Sequence, residues 1–168
     1  MTGSAFDAQC AQLFQRHAPR LLRYFHRLTG DSELAADLTQ EAFVRLFRRG
    51  TLPGHPEAWL LTVAMNLLRN VHKTRTRRTR LLTFERGAAA HADAARAPDE
   101  LVDDVEQARV RRALRALPER EAQLLLLRAE GYSYRDLAVA LELNERSIGS
   151  LLARAKRAFR SAWEEPCT

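Results

Sequence analysis

The fold is decided by residues 133–155, which have the sequence SYRDLAVALELNERSIGSLLARA. Ser133 and Asp136 form a capping box, in which the serine side chain caps the helix backbone and the acid reaches back to the serine. A short helix with one apolar side is therefore predicted from this box to the two-residue turn Glu142–Leu143. Asn144 can cap a second helix directly after that turn. Two short amphipathic helices joined by a tight turn predict a helix-turn-helix.

The side chains of this predicted helix-turn-helix suit two closely packed helices with a basic outer surface. Ala138 is small where the helices must approach, and Ile148 is apolar where the second helix meets the first. In such a fold the second helix enters the DNA major groove, where base contacts give specificity and phosphate contacts give affinity. The candidate DNA contacts are Ser133, Tyr134, Arg135, Arg146, Ser150, Arg154 and Arg157. A plain helical hairpin with a solvated basic face is the alternative interpretation.

Composition agrees with a nucleic-acid partner and argues against several other classes of protein. The 168 residues include 27 Lys and Arg against 21 Asp and Glu, a net charge of +6, which favours a polyanion as partner. Cys10 and Cys167 are isolated, and no Cys or His pair has metal-ligand spacing, so neither a disulfide framework nor a metal site is expected. No apolar run could span a membrane and no signal peptide is visible, so a cytoplasmic setting is the simplest interpretation.

Helical periodicity continues through the rest of the chain, and no alternating β-branched stretch predicts a strand. The first helical run is interrupted by Pro19 and ends at Gly30, after which Asp31 or Ser32 can cap the next helix. A loop rich in Gly and Pro follows that helix, and Pro56 suits the first turn of another. The expected fold class is therefore all-α.

Two shifts of composition divide the chain into two domains. Residues 69–80 hold six Lys and Arg and no acid, and the segment after them is rich in alanine and acids and contains a glycine and a proline. We predict two small helical domains joined by a flexible linker: a first domain over 1–81, the linker over 82–104 and a second domain with the helix-turn-helix over 105–168. For the linker, an Ala-rich helix packed on a domain is the alternative.

Three stretches in this order resemble the extracytoplasmic-function (ECF) sigma factors, the smallest members of the sigma-70 family. They are DLTQEAFVRLF at 37–47, AWLL at 58–61 with the helix after it, and LPER at 117–120 with the helix-turn-helix after it. Together with residues 17–24 they cover nearly the whole chain apart from the linker and the termini. Each stretch alone is moderately specific, and their order and spacing make the match strong.

The resemblance implies that the first domain is sigma region 2, which binds polymerase core and melts promoter DNA. In the family, an Asp-Leu-x-Gln-Glu helix docks on the clamp helices of the polymerase β′ subunit, and the matching residues are Asp37, Gln40, Glu41 and Phe43. Local sequence alone would favour an ordinary solvated helix face there. The loop and helix that follow would hold an unstacked base and the melted strand, through Arg48, Arg49, Trp59, Asn66, Arg69, Asn70 and Lys73.

The resemblance also implies that the second domain is sigma region 4, which reads a more distant promoter element as duplex and contacts the β flap. The implied partners are RNA polymerase core, promoter DNA and an anti-sigma factor, with no cofactor, metal or catalytic residue. Some positions depart from the family pattern. Gly149 and Leu151 stand where many relatives have Lys and Arg, and Glu142 stands where Gly often fills the turn.

Two functions from other classes compete with this interpretation. The runner-up is a helix-turn-helix transcription regulator that works without polymerase, and the motif at 37–47 argues against it. An enzyme is the third candidate, but the chain lacks a phosphate loop, a metal cluster and a nucleophile–base set. Any chemistry would then belong to the polymerase, while this chain binds and melts DNA.

Overall fold

The computed structural model describes residues 3–86 and 105–164, and these two ranges contain only helices. The helices are α1 (Gly3–Thr29), α2 (Ser32–Arg49), α3 (Pro56–Arg86), α4 (Val105–Arg115), α5 (Glu119–Ala129), α6 (Tyr134–Leu141) and α7 (Glu145–Glu164). The predicted all-α class is confirmed. Helix α3 continues five residues into the predicted linker because the first strong helix breaker is Gly87. The rest of that segment, 87–104, lies outside the described residues.

The prediction that Pro19 interrupts the first helical run is wrong, because α1 is one helix with Pro19 inside it. A proline in a helix interior removes one N–H and crowds the carbonyl four residues earlier, which costs about 3 kcal/mol or more. Pro19 is exposed, whereas Ala18 before it and Leu21 after it are buried. Burial of apolar side chains on both sides of the proline offsets that cost and keeps the helix continuous.

Helix α2 packs against both α1 and α3, and the three helices form the first domain. Asp31 caps α2 as predicted, since its carboxylate accepts a hydrogen bond from the N–H of Leu34 at 2.9 Å. Gly50 ends α2 in the left-handed conformation, with φ of 73°. Pro56 opens α3, as expected for the first turn of a helix. The core of this domain is made of apolar side chains that include Leu21, Phe25, Leu38, Ala42, Leu46, Leu60, Leu61 and Ala64.

The second domain is built from α4 to α7, and its local signals fold as predicted. The capping box is complete: the N–H of Asp136 donates to Ser133 Oγ at 3.2 Å, and the N–H of Ser133 donates to Asp136 Oδ2 at 3.0 Å. The N–H of Arg146 donates to Asn144 Oδ1 at 3.0 Å, so Asn144 caps α7. Gly131 follows α5 with φ of 85°.

The turn of the helix-turn-helix contains the one residue other than glycine, among those the structure describes, with a positive φ. Glu142 has φ of 55° and ψ of 49°, the left-handed region. We expect Glu142→Gly to raise the free energy of unfolding by about 0.5–1 kcal/mol, because glycine adopts this conformation without a Cβ clash. Urea unfolding measures the change. Ala153→Gly, at an exposed position of α7, is the control and should lower stability by about 1 kcal/mol. Stabilisation by both glycines would contradict the explanation.

The two domains also pack against each other. Helix α1 contacts α5, and α3 contacts α6. The buried apolar residues of both domains form one continuous cluster. Between the domains, Met65 and Leu68 of α3 and Leu141 of α6 line one cavity of about 400 Å³. The first helix of the helix-turn-helix therefore lies against the long helix of the first domain.

Candidate polymerase and nucleic-acid interface

Helix α7 has the two-sided character of a recognition helix. Ile148 and Leu152 are buried against the rest of the second domain. Arg146, Ser150 and Arg157 are exposed, so their side chains are accessible to a DNA duplex. Residues near the start of such a helix reach base edges, and those farther along meet phosphates. The geometry therefore suits base contacts through Arg146 and Ser150 and a phosphate contact through Arg157.

The start of α6 provides a second group of predicted DNA contacts. Ser133 is occupied by the capping box, because its hydroxyl donates to Asp136 Oδ2 at 2.6 Å. Tyr134 and Arg135 are exposed. A Cβ added at Gly149 would lie 3.8 Å from Tyr134 Cε2, an ordinary van der Waals contact. Crowding therefore does not require glycine at this position of the recognition helix.

Arg154, predicted as a phosphate contact, is exposed and also pairs with an acid of its own domain. Its Nε donates to Glu121 Oε1 at 2.7 Å, and the side chain of Glu121 is 8% exposed. A nearly buried carboxylate requires a partner, since an unpaired charge there costs several kcal/mol. The pair links α7 to α5, while 63% of the Arg154 side chain remains exposed. Arg154 and Arg157 are thus both accessible to a phosphate.

The predicted polymerase-binding residues of α2 divide into two groups. Asp37 and Gln40 are exposed, and Glu41 is half-buried and pairs with Arg45 at 2.9 Å. Phe43 was predicted as part of the same patch, but it is only 8% exposed and packs edge-on against Phe14, with ring centroids 5.0 Å apart. Phe43 thus belongs to the packing between α1 and α2. The accessible patch consists of Asp37, Gln40 and Glu41.

The loop between α2 and α3 brings three predicted DNA contacts together. Arg48 and Arg49 are exposed at the end of α2, and Trp59 is half-buried in the second turn of α3. The guanidinium of Arg49 lies 5.9 Å from the centroid of the Trp59 ring. An aromatic face next to exposed cations suits an unstacked base, which stacks on the ring while the cation meets its phosphate.

Further along α3 the predicted strand contacts are exposed, but one of them already has protein partners. Asn66, Arg69, Asn70 and Lys73 all lie on the surface of the helix. Arg69 Nη1 donates to Asn66 Oδ1 at 2.7 Å, and Arg69 Nη2 donates to the carbonyl of Ala140 in α6 at 3.5 Å. The side of α3 that carries the predicted strand contacts therefore meets the second domain at Arg69.

Comparison with known sequences gives the family. Residues 13–79 match Sigma-70 region 2, and residues 107–159 match Sigma-70, region 4. The ECF RNA polymerase sigma factor SigL of Mycobacterium tuberculosis is 30% identical over 158 residues, which cover 91% of this chain and 88% of SigL. This chain belongs to the ECF sigma factors.

The chain is also similar to two further sigma factors. The ECF RNA polymerase sigma factor SigE of Mycolicibacterium smegmatis is 31% identical over 156 residues, 89% of this chain and 59% of SigE. The chain thus spans about three fifths of the length of that relative. The sigma factor RpoE of Bartonella quintana, solved in complex with the anti-sigma factor NepR, has a TM-score of 0.64 at 20% identity and covers 94% of this chain and 98% of RpoE. That structure shares the fold.

Over residues 3–86 and 105–164, no helix is long and apolar enough to cross a membrane. In the same ranges, no three His, Cys, Asp or Glu side chains are grouped to hold a metal ion.

The polar contacts between the two domains were not predicted from the sequence. Three arginines of α1, at positions 20, 23 and 27, all donate to Glu130 at the end of α5. Arg20 also lies over the ring of Tyr132, 4.2 Å from its centroid. The spacing of the arginines, three and then four residues, marks one stripe of a helix. That spacing is a usable signal, but nothing local indicates which acid the stripe will meet.

His17 is a buried histidine next to this stripe. Its Nε2 lies 3.3 Å from Glu57 Oε1, and its Nδ1 lies 3.5 Å from Arg20 Nη1. Burial lowers the pKa of His17; Glu57 opposes this effect, the neighbouring Arg20 and Arg16 add to it, and Asp136 weakly opposes it. A neutral ring that donates from Nε2 and accepts at Nδ1 satisfies both contacts. We therefore assign the neutral form with the proton on Nε2.

The lowered pKa of His17 predicts a loss of stability in mild acid. Below the ordinary histidine pKa of about 6.5, the unfolded chain binds a proton at His17 more readily than the folded chain does. The free energy of unfolding therefore decreases as the pH decreases. We expect the wild-type protein to lose more stability than His17→Gln between pH 7.5 and 5.5, as measured by urea unfolding. The remaining histidines are common to both proteins, so their contributions cancel in the difference. Equal losses in the two proteins would contradict a lowered pKa at this position.

Proposed function

We propose that this chain directs RNA polymerase core to specific promoters and takes part in opening them. One observation carries the proposal. A single chain presents an exposed face with Asp37 and Gln40 on α2 and, on a separate domain, a capped helix-turn-helix with exposed Arg146 and Ser150. The first face matches the family motif for core binding, and the second has the form that reads duplex DNA. A DNA-binding regulator that works without polymerase has no use for the first face.

Core binding would use both domains. On the first domain, Asp37, Gln40 and Glu41 would meet the clamp helices of β′ through charge-assisted hydrogen bonds. On the second domain, α4, α5 and α7 enclose an apolar groove of about 430 Å³, lined in part by Val110, Leu125, Phe159 and Trp163. This groove would receive an apolar segment of the β flap. Two separate contacts raise affinity more than either alone, because the second is made at high effective concentration.

The DNA work would be divided between the domains. The first domain would capture a melted strand through the loop after α2 and through Asn66, Arg69, Asn70 and Lys73 on α3. Exposed cations beside an aromatic ring suit single strands, whose bases stack while their phosphates are neutralised. The second domain would hold duplex DNA through α7, with Arg146 and Ser150 at base edges and Arg157 at a phosphate.

Other features of the proposal follow from the family and from the relatives. Because RpoE was solved with an anti-sigma factor, we propose that an anti-sigma factor also regulates this chain. The setting would be the cytoplasm, where the polymerase and the promoter are found. The chain would catalyse no reaction of its own, since phosphodiester bond formation belongs to the polymerase.

Transcription in vitro with purified core on a promoter library tests this proposal and identifies a cognate promoter. On that promoter, permanganate footprinting then separates binding from melting. Asn70→Ala with Lys73→Ala should leave closed-complex affinity nearly unchanged and reduce the reactivity of melted thymines. Arg146→Ala should change preference at one upstream position by about 1–3 kcal/mol. Arg157→Ala should weaken binding to all sequences and lower the slope of log K against log salt by about one.

The outcomes separate the proposed function from its alternatives. Normal melting by the Asn70/Lys73 variant together with failed melting by Arg146→Ala would overturn the assignment of melting to the first domain. Sequence-specific duplex binding without any association with core, measured by co-purification, would identify a helix-turn-helix regulator instead.

A further inference from the structure

Tyr134, at the start of α6, lies against the recognition helix at Gly149. Its ring atom Cε2 is 3.8 Å from the place that a Cβ of residue 149 would occupy. Gly149 follows Arg146 by three residues and precedes Ala153 by four, and residues at these spacings share one face of a helix. The ring of Tyr134 therefore covers part of the face of α7 that carries the proposed base contacts.

The side chains of α7 next to this ring are short. Gly149 has no side chain, and Ala153 is exposed but has only a methyl group. Tyr134 is 44% exposed, and with Val139 it is one of the two large apolar side chains that the helix-turn-helix leaves exposed. The apolar surface on this face of the recognition helix is therefore supplied by the other helix of the motif.

Arg128, near the end of α5, also contacts the ring. Its guanidinium carbon lies 5.7 Å from the centroid of the Tyr134 ring, and a cation over an aromatic face is attracted to it. The same guanidinium donates through Nη1 to the carbonyl of Tyr132 at 3.0 Å, so the backbone fixes its position. A ring held in this way loses little conformational entropy when it binds a partner, which favours its use as a contact.

An exposed ring on this face suits one chemical group of the major groove. The base edges there present hydrogen-bond donors and acceptors, and their apolar group is the C5 methyl of thymine. An arginine or a lysine at position 149 would pair with guanine instead. The ring of Tyr134 cannot make such a bidentate contact, but it can pack against a methyl group.

We propose that Tyr134 recognises a thymine of the upstream promoter element, in the place of a side chain at position 149. The proposal rests on the proposed function, because both require α7 to enter the major groove. Gly149 is a condition for this contact, since a long side chain there would have to pass around the ring or displace it. Base recognition is thus shared between the two helices of the motif.

Selection from a duplex library randomised over the upstream element tests the proposal, with the holoenzyme and with the full-length chain alone. The parent should prefer thymine at one position by about fourfold or more, the contribution of one buried methyl group. Tyr134→Ala should lose that preference and keep those at other positions. Tyr134→Phe should retain it, because the ring is unchanged. Val139→Ala, the control for truncating an exposed apolar side chain of α6, should select as the parent does.

Replacing the selected thymine by deoxyuridine in a fixed duplex removes the methyl group alone. The parent should bind this duplex about fourfold more weakly, measured by fluorescence anisotropy at fixed salt. Tyr134→Ala should bind both duplexes equally, and circular dichroism melts check that it is folded. If the parent bound both duplexes equally and Tyr134→Phe bound all sequences more weakly, the hydroxyl would contact a phosphate and the proposal would be wrong.

Two variants at position 149 test the role of the glycine. Gly149→Ala should keep the preference for thymine, because its Cβ would make only an ordinary contact with the ring. Gly149→Arg should displace the ring and exchange the preference for thymine for one for guanine. Selection of thymine at undiminished strength by Gly149→Arg would show that the contact does not depend on the glycine.

Failure at Tyr134 is distinguishable from failure of the proposed function. If the holoenzyme transcribes from the selected promoters but Tyr134→Ala selects as the parent does, only the role of Tyr134 is wrong. If the chain alone shows a preference for thymine that depends on Tyr134 but never supports transcription with core, the contact with thymine stands and the polymerase function is wrong.

Discussion

Replacing Asp37 and Glu41 together by lysine is expected to weaken binding to RNA polymerase core about a hundredfold. Both side chains lie on the accessible patch of α2, and charge reversal turns each attraction into repulsion. A loss of ~3 kcal/mol shared between two interfacial charges is in the range for such contacts. Titration of labelled chain with purified core measures it. Helix α2 should persist, because the lost pair between Glu41 and Arg45 contributes only about 0.3–0.5 kcal/mol.

A matched control distinguishes an effect of the patch on core binding from an effect of net charge. Asp7→Lys with Glu164→Lys gives the same change in net charge at two exposed positions outside the patch. That variant should bind core within about threefold of wild type at an ionic strength of about 0.15 M, where the Debye length is about 8 Å. If both double variants lost affinity equally, the effect would be due to net charge and the assignment of the patch would fail.

The second large effect is expected from Ile148→Ala in the recognition helix. Ile148 has no exposed surface and belongs to the shared buried cluster. Removing most of such a side chain costs about 2–5 kcal/mol, because apolar contact is lost and a cavity remains. The melting temperature should fall by about 10 °C or more. Binding of duplex promoter DNA at 37 °C should fall with it, since α7 depends on this contact for its position.

The control for this prediction is a truncation at the surface. Val139→Ala shortens an apolar side chain of α6 that is 49% exposed, and it should change stability by less than about 0.5 kcal/mol. Calorimetry on the two variants makes the comparison. A loss of under 1 kcal/mol for Ile148→Ala would mean that α7 is held mainly by other contacts, such as the pair between Arg154 and Glu121.

Local signals made the helix-turn-helix predictable from sequence. The box of Ser133 and Asp136, the turn at Glu142 and the cap at Asn144 each depend on residues at most four positions apart. Such contacts form with little dependence on the rest of the chain. The continuity of α1 through Pro19 was not predictable in this way. It depends on burial of both halves of the helix against other elements, which outweighs a local preference.

Contacts between distant parts of the chain account for the rest of what was missed. Phe43 carries a motif position, but only the packing of α1 on α2 shows that its ring is turned inward toward Phe14. Likewise, the basic face of α7 gives no indication that Arg154 is drawn to Glu121, 33 residues earlier. Periodicity tells which residues share a face, whereas the partner of a charged side chain is set by the tertiary arrangement.

The separation in sequence between Arg20 and Glu130 has a consequence for synthesis of the chain. These two residues lie 110 positions apart, whereas the three helices of the first domain are consecutive. At ~5–20 residues per second, a ribosome needs several seconds after α3 to produce α5 and α6. During that interval the first domain can fold while its docking surface is uncovered. In a nascent chain, Arg20, Arg23 and Arg27 of α1 therefore stay exposed to solvent until α5 has been synthesised.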